Sequence, residues 1–541
     1  MSADDAPAVL VAPPQSGAQS TLRRIVVYTL LLVLVVLAAT GISGLLGRLL
    51  ETRPSVDDAG GLALSLAFTL IAGPLAMLLW WFVWRRLDGA DRSSVAWGVY
   101  LSVISFIALV TATTGLLGMF ADLVGGTWSP GGLATGVTWL AVWLLHRRMW
   151  ADSRKGPRRL TAVPVVLGAA YALVLAAGGA IRALQTVVGE ALLPAVAHVG
   201  ALWWQGALEG LIWALGGGAI WWWLWVRDRA VALPGGFPAV MLVLTGVLGG
   251  SAAAVGGLGS ALHVGLRAAF DSDAPRQELL GPLPLALAAA SVGAVVWLYH
   301  RRIAAERSPD VGGAARLVEA GIGLVAAASG IGVVVNALLA TLSTPLAGSD
   351  ARTLLLGGIA WLAVGAPLWW FAWRPRQAAT DARAAGRRVY LVAVFGVSAV
   401  VALVALLIVG YGIFEVALDG ARGGLVERIR APFGLLVATA LVAGYHFAVW
   451  RHDRAADPPS GRARAIDRVV LVTGDDSAAL ERAIESTVGA RVTRWTRADA
   501  GPDQDPVAVD AVLAVLAGVT ARRVLVVVGP GDRIEVVPLS D

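Results

Sequence analysis

Long stretches with few or no charges recur from residue 25 to residue 450, and the polar residues gather between them. A helix needs about 20 apolar residues to cross a hydrocarbon core roughly 30 Å thick. Windows of that kind fall at residues 25–46, 62–84, 95–120, 126–145, 161–181 and 201–225. Six more fall at 237–262, 281–299, 317–342, 353–373, 389–414 and 432–450. The pattern predicts an all-α polytopic membrane domain of about 12 transmembrane helices. The window at 126–145 is the weakest, because Pro130 interrupts its start.

The windows pair into six similar hairpins, over approximately 22–91, 92–158, 159–230, 231–308, 309–380 and 381–455. Every second window ends in aromatic sequence running into arginine, as in Trp80-Trp81-Phe82-Val83-Trp84-Arg85 and Trp369-Trp370-Phe371-Ala372-Trp373-Arg374. The terminal arginines, from Arg85 to Arg451, are separated by 62, 80, 74, 73 and 77 residues. A second marker sits near the end of each odd window: Gly41, Gly115, Gly179, Gly257, Gly330 and Gly410. It predicts a glycine turn that relaxes the helix or allows close backbone contact, followed by an amphipathic helix in the interface. Two markers at one period argue for tandem repeats, parallel rather than inverted.

The stretch Arg387–Val392 (Arg-Arg-Val-Tyr-Leu-Val), a long Val/Leu/Ala window, and the return Pro-Leu-Trp-Trp-Phe-Ala-Trp-Arg at Pro367–Arg374 carry a resemblance. Together they make residues 22–455 similar to a bacterial family of repeat-built polytopic membrane proteins known only as a domain of unknown function. The resemblance implies the tandem-hairpin architecture. It brings no activity and no catalytic residues.

Composition agrees with a membrane protein: 57% of residues are hydrophobic and 15% charged, against roughly a quarter charged in soluble domains. The formal charge of +6 hints at nucleic acid, but its distribution says otherwise. Of the basic residues between the windows, 22 fall on one side before the last two windows and nine on the other. Basic residues stay on the cytoplasmic side, so both termini are expected in the cytoplasm and the protein in the cell membrane. Residues 1–21 read as a disordered tail, and the first window as an uncleaved span. There is no cysteine, hence no disulfide or thiolate chemistry.

Beyond a polar linker at 456–465, residues 466–541 have the alternation of a soluble domain. The order β-α-β-α-β-β predicts a small cytoplasmic α/β domain, a doubly wound sheet of order 2-1-3-4 with right-handed crossovers. It holds eight Arg against nine Asp and three Glu, an acidic balance that disfavours nucleic acid. The loop Gly474, Asp475, Asp476 and Ser477 follows a strand and opens a helix, where such folds bind ligands. With two carboxylates and no glycine-rich fingerprint, a capped helix start is the simpler reading.

No catalytic or metal-binding motif is present, and no cofactor is expected. Four of the six histidines (His146, His300, His446 and His452) adjoin the basic window ends and read as interface residues, as the tryptophans read as an aromatic belt. Polar groups within windows are more informative, because they are costly in hydrocarbon. Gln205 and Glu209 share a helix face, Asn336 and Glu319 share a window, and Arg182 is placed to pair with Glu190. Two functions follow as expectations. One is a non-enzymatic membrane scaffold or sensor whose tail domain meets a cytoplasmic protein or small-molecule ligand. The alternative is a transporter or channel with a path along Gln205, Glu209 and Asn336.

Overall fold

The computed structural model describes residues 17–51, 58–87, 89–193, 202–271, 275–342, 351–373, 385–419, 424–456, 466–473, 478–497, 508–519, 521–529 and 533–539. The chain divides into two units, 1–443 and 444–541. The long helices are α1 (Gly17–Leu50), α2 (Ala59–Arg86), α3 (Val95–Val124), α4 (Pro130–Ala151), α5 (Val163–Leu192) and α6 (Trp203–Trp222). They continue with α7 (Gly236–Phe270), α8 (Leu283–Arg307), α9 (Pro309–Ala340), α10 (Ala351–Trp373), α11 (Ala385–Asp419) and α12 (Leu425–Ala456). Among the described residues, ten helices are long and apolar enough to cross a membrane. The other two long ones are α4 and α6, of 22 and 20 residues. They are more polar, since α4 runs into His146, Arg147 and Arg148 and α6 carries Gln205 and Glu209.

Local chemistry sets the helix ends. Ser94 and Ser308 accept from the backbone N–H of Trp97 and Val311, capping α3 and α9. Proline stands in the first turn of α4, α5, α8 and α9, where its missing N–H costs nothing. Asp58 caps α2, accepting from Gly61 N at 3.0 Å and from Arg48 Nη2 at 2.5 Å. Inside α2 the backbone widens into a π turn at Phe68–Ala72, next to Pro74, which has no N–H for a regular ladder.

The window-end glycines do not make turns. The helices α1, α3, α5, α7 and α9 run straight through them, so the expected interfacial extensions are the final turns of the same helices. The glycines instead let antiparallel partners touch backbone to backbone. A Cβ on Gly115 would lie 2.7 Å from Gly136 N, and one on Gly330 2.5 Å from Leu362 N and 2.7 Å from Gly358 O. Gly179 and Gly257 face the backbones of Ala214 and Ala290 in the same way. Lipid tails give helices no hydrophobic reason to associate, so close van der Waals approach through small residues holds them together. Gly410 is the exception, with nothing within 4 Å of a Cβ there among the described residues.

The aromatic–arginine endings are joined by cation–π contacts. Arginines lean back over the ring one turn earlier, as Arg85 over Trp81 at 4.2 Å, Arg147 over Trp143 at 5.3 Å and Arg227 over Trp223 at 5.2 Å. That direction is the one helical side chains prefer, and each cation–π contact is worth about 0.5–1 kcal/mol at exposed sites. Rings away from those endings form core: Trp97, Tyr100, Trp139 and Tyr28 are buried in one cluster of α1, α3 and α4. A second cluster joins α5, α7, α8 and α9 around Leu242, Val247 and Trp225. Lys155, the single lysine of the chain, donates through Nζ to Trp84 O at 2.8 Å and Leu87 O at 3.0 Å.

In the tail unit, β1 (Arg468–Thr473), α13 (Ala478–Val488), β2 (Arg491–Thr496), α14 (Val509–Leu516), β3 (Arg523–Val528) and β4 (Ile534–Leu539) form a sheet of order β2-β1-β3-β4. Strand β1 is parallel to β2 and β3, and β4 is antiparallel to β3. Pro538 fits on β4 because that strand is an edge. The sheet is not doubly wound. Val469, Leu471, Val524 and Val526 bury a single face, against Leu480 and Ile484 of α13 and Val512 and Leu516 of α14. The two helices lie side by side over that one core, giving two layers.

Candidate functional site

The polar residues read from the windows do not converge on one site. Gln205 sits at the start of α6, where Oε1 accepts from Leu202 N at 2.7 Å and Nε2 donates to Val124 O at 3.1 Å. It closes the start of one helix and the end of another. One turn on, Glu209 accepts from Arg182 Nη2 at 2.5 Å. The partner of Arg182 in this bridge is therefore Glu209, across the α5–α6 contact, rather than the expected Glu190. The close glycine packing of α5 on α6 brings the two side chains together.

Asn336 lies elsewhere, on α9. Its Oδ1 accepts from Arg430 Nη1 at 2.9 Å, and Arg430 also donates to Glu427 at 2.7 Å. Asn336 edges a cavity of about 650 Å³ between α9, α11 and α12, whose wall is otherwise largely apolar, with Leu324, Val333, Val397, Val401 and Leu435. Glu319, also on α9, is 1% exposed and accepts from Trp297 Nε1 at 2.9 Å, with Arg301 Nε 3.2 Å away. A carboxylate taken out of water needs such partners.

The histidines are packed too. His146 and His300 are buried, and Nδ1 of each lies 2.8 and 2.7 Å from the carbonyl one turn back, Val142 O and Val296 O. A carbonyl only accepts, so Nδ1 carries the proton and Nε2 of the neutral ring is an acceptor. Tyr100 Oη supplies the matching hydrogen at 3.0 Å from His146 Nε2. His446 is buried as well, so three of the four histidines beside basic ends are packed inside the protein. Among the described residues no group of three metal-ligating side chains exists.

A second cavity, of about 610 Å³, lies between α1 and the start of α3. Arg24, Arg159, Ser93 and Ser94 stand at one end, and Ile25, Leu32, Val95, Val99 and Val103 continue it along the helices. Arg24 Nε donates to Asp91 Oδ1 at 2.6 Å. The segment bearing Arg159 is fastened down: Arg92 donates to Gly156 O and Ser153 O, both at 2.9 Å, and Arg158 N to Arg92 O at 3.0 Å. Gly98 lets it seat, since a Cβ there would stand 2.7 Å from Arg159 O. Sequence reading counted these arginines as orientation signals only. The clue was the Arg-rich run between α4 and α5, longer than anchoring requires. The tail loop Gly474, Asp475, Asp476 and Ser477 lies outside the described residues.

Residues 24–145 and 314–445 each match the family described as Domain of unknown function (DUF5671). The family model thus matches the chain in two separate stretches. Each DUF5671 stretch takes in four long helices, α1 to α4 and α9 to α12, and ends one residue before a buried histidine, His146 or His446. Tyr100 and Tyr390 stand at the same distance from the starts of the two matches, each between a valine and a leucine. No curated protein and no solved structure matches the chain. With ten apolar helices, it is a multi-pass membrane protein.

Proposed function

We propose that the protein is a non-enzymatic membrane scaffold or sensor that presents its α/β domain in the cytoplasm. In this reading α4 and α6 cross the bilayer as well, giving twelve spans in three consecutive four-helix units. The outer two units are the DUF5671 stretches, and α5 to α8 form a diverged middle unit ending at His300. The Arg-rich ends and both termini face the cytoplasm, by the same basic asymmetry that orients membrane helices generally.

One observation carries the reading: polar side chains within the helices are spent on neighbouring helices. Glu209 is taken by Arg182, Glu319 by Trp297 and Arg301, and Asn336 by Arg430. Side chains that line an ion or solute path face a shared wet route, and the cavity beside Asn336 is walled mainly by valine, leucine and alanine, with Ser329, Ser398 and Thr439 its other polar side chains. Transport is thus the weaker alternative.

The test is complementation of a deletion strain with the full chain, a chain ending at residue 456, and Glu209→Gln. The scaffold reading expects the shortened chain to reach the membrane and fail to rescue. Full rescue by it removes the role of the tail domain. Loss of rescue by Glu209→Gln in a stable, correctly inserted protein favours transport.

A further inference from the structure

The cleft between α1 and α3 has two ends of opposite character. We infer that it binds an anionic phospholipid, with the headgroup phosphate at Arg24 and Arg159 and one acyl chain along Val95, Val99 and Val103. The inference goes beyond the scaffold reading and needs only that α1 and α3 lie in the bilayer.

Charge is the first argument. The lining residues include two arginines and no carboxylate. Asp91, outside the lining, accepts from Nε of Arg24, which leaves the Nη donors of the fork to turn toward the cleft. Arg159 makes no side-chain hydrogen bond or ion pair among the described residues and is exposed. Guanidinium groups bind phosphate through their fixed fork of donors. Rigidity is the second argument, because the bonds from Arg92 and the seat at Gly98 hold the Arg159 segment in place before any ligand arrives.

The apolar half selects a lipid over a soluble anion. Val95, Val99 and Ile25 are 48%, 43% and 50% exposed, so the cleft opens sideways where hydrocarbon surrounds the helices. Its basic end lies at the Arg-rich ends of the helices, the side on which basic pockets between spans meet anionic headgroups. A free phosphate would satisfy the arginines and leave the valine-lined half unused.

The experiment uses the purified full-length protein in mixed micelles containing phosphatidylglycerol or phosphatidylcholine of the same acyl chains. Bound lipid is counted by native mass spectrometry. Saturable binding of phosphatidylglycerol over phosphatidylcholine is expected, weakened about fivefold by Arg159→Gln, as for one basic residue lost at a lipid surface. Val99→Trp, which blocks the acyl path, should abolish it; if that variant misfolds, Arg159→Gln alone decides. Equal retention of both lipids, or unchanged binding in Arg159→Gln, overturns the inference. Displacement by inorganic phosphate also overturns it and makes the cleft a soluble-anion site. Because lipid binding alone is read, a negative result leaves the scaffold reading standing, and a rescue by the shortened chain leaves the lipid site standing.

Discussion

Tyr100 Oη stands 3.0 Å from His146 Nε2, and this bond ties α3 to α4 between two side chains that are each 2% exposed. With Nδ1 already given to Val142 O, the ring has one acceptor left, and only the phenol fills it. Removing the hydroxyl leaves a buried nitrogen without a partner, which costs about 1–3 kcal/mol. Tyr100→Phe should therefore lower the melting temperature in detergent. The double variant Tyr100→Phe, His146→Leu should recover most of it, since the orphan disappears with its ring. Equal melting of Tyr100→Phe and the parent would refute the pairing.

Gly178 and Gly179 are neighbours with opposite surroundings. Nothing lies within 4 Å of a Cβ on Gly178, whereas one on Gly179 would meet the backbone of Ala214 and stand 2.7 Å from Gly210 O. Gly178→Ala is expected to stabilise α5 by about 0.5–1 kcal/mol, through lost freedom of the unfolded chain. Gly179→Ala is expected to destabilise by about 1–3 kcal/mol, as overpacking does. Thermal unfolding of the two variants should move in opposite directions. A shift in the same direction would show that α5 and α6 do not touch there.

The Arg48–Asp58 contact has a pH signature. The hydrogen bond from Arg48, then that from Gly61 N, and then the Arg48 charge hold the Asp58 carboxyl below its ordinary 3.8. A lowered folded value means that the contact stabilises above the unfolded value and is lost as pH falls through the folded one. Wild type and Asp58→Asn should differ in melting temperature near pH 7 and converge only as pH falls below 3.8 and through the folded value. The side chain is solvent-exposed, so the difference should be small and shrink further in high salt.

A chain without cysteine is ready for topology mapping by single introduced thiols. Ser153→Cys lies between α4 and α5 at the Arg-rich side, and Thr127→Cys between α3 and α4 at the other. In intact cells an impermeant maleimide should label Thr127→Cys and spare Ser153→Cys until the membrane is broken. The reverse pattern would invert the orientation.

The helical windows and the strand order were legible because each leaves a period or a run in the sequence. What the sequence did not yield is rotation about the helix axes. Periodicity showed Gly179 and Gly330 as recurring marks but did not choose between a relaxed turn and the backbone contact that each makes. Arg182 and Glu209 are 27 residues apart, and only the packing of α5 on α6 selects that pair over Glu190. Tyr100 and His146 are 46 apart, and the sequence marks His146 only by its neighbouring arginine, with nothing to name its partner. In the tail, alternation gave the strands, while the side on which both helices lie depends on crossovers that alternation does not encode.

Lys155 has a consequence for the chemistry that reaches this protein. Its amine is the only lysine amine in 541 residues, and it is spent on the two carbonyls that end α2. Acylating agents, amine cross-linkers and enzymes that tag lysines meet no other ε-amino group along the chain. Any such modification has to pull Nζ away from Trp84 and Leu87, so conjugation and fraying of that helix end become a single event.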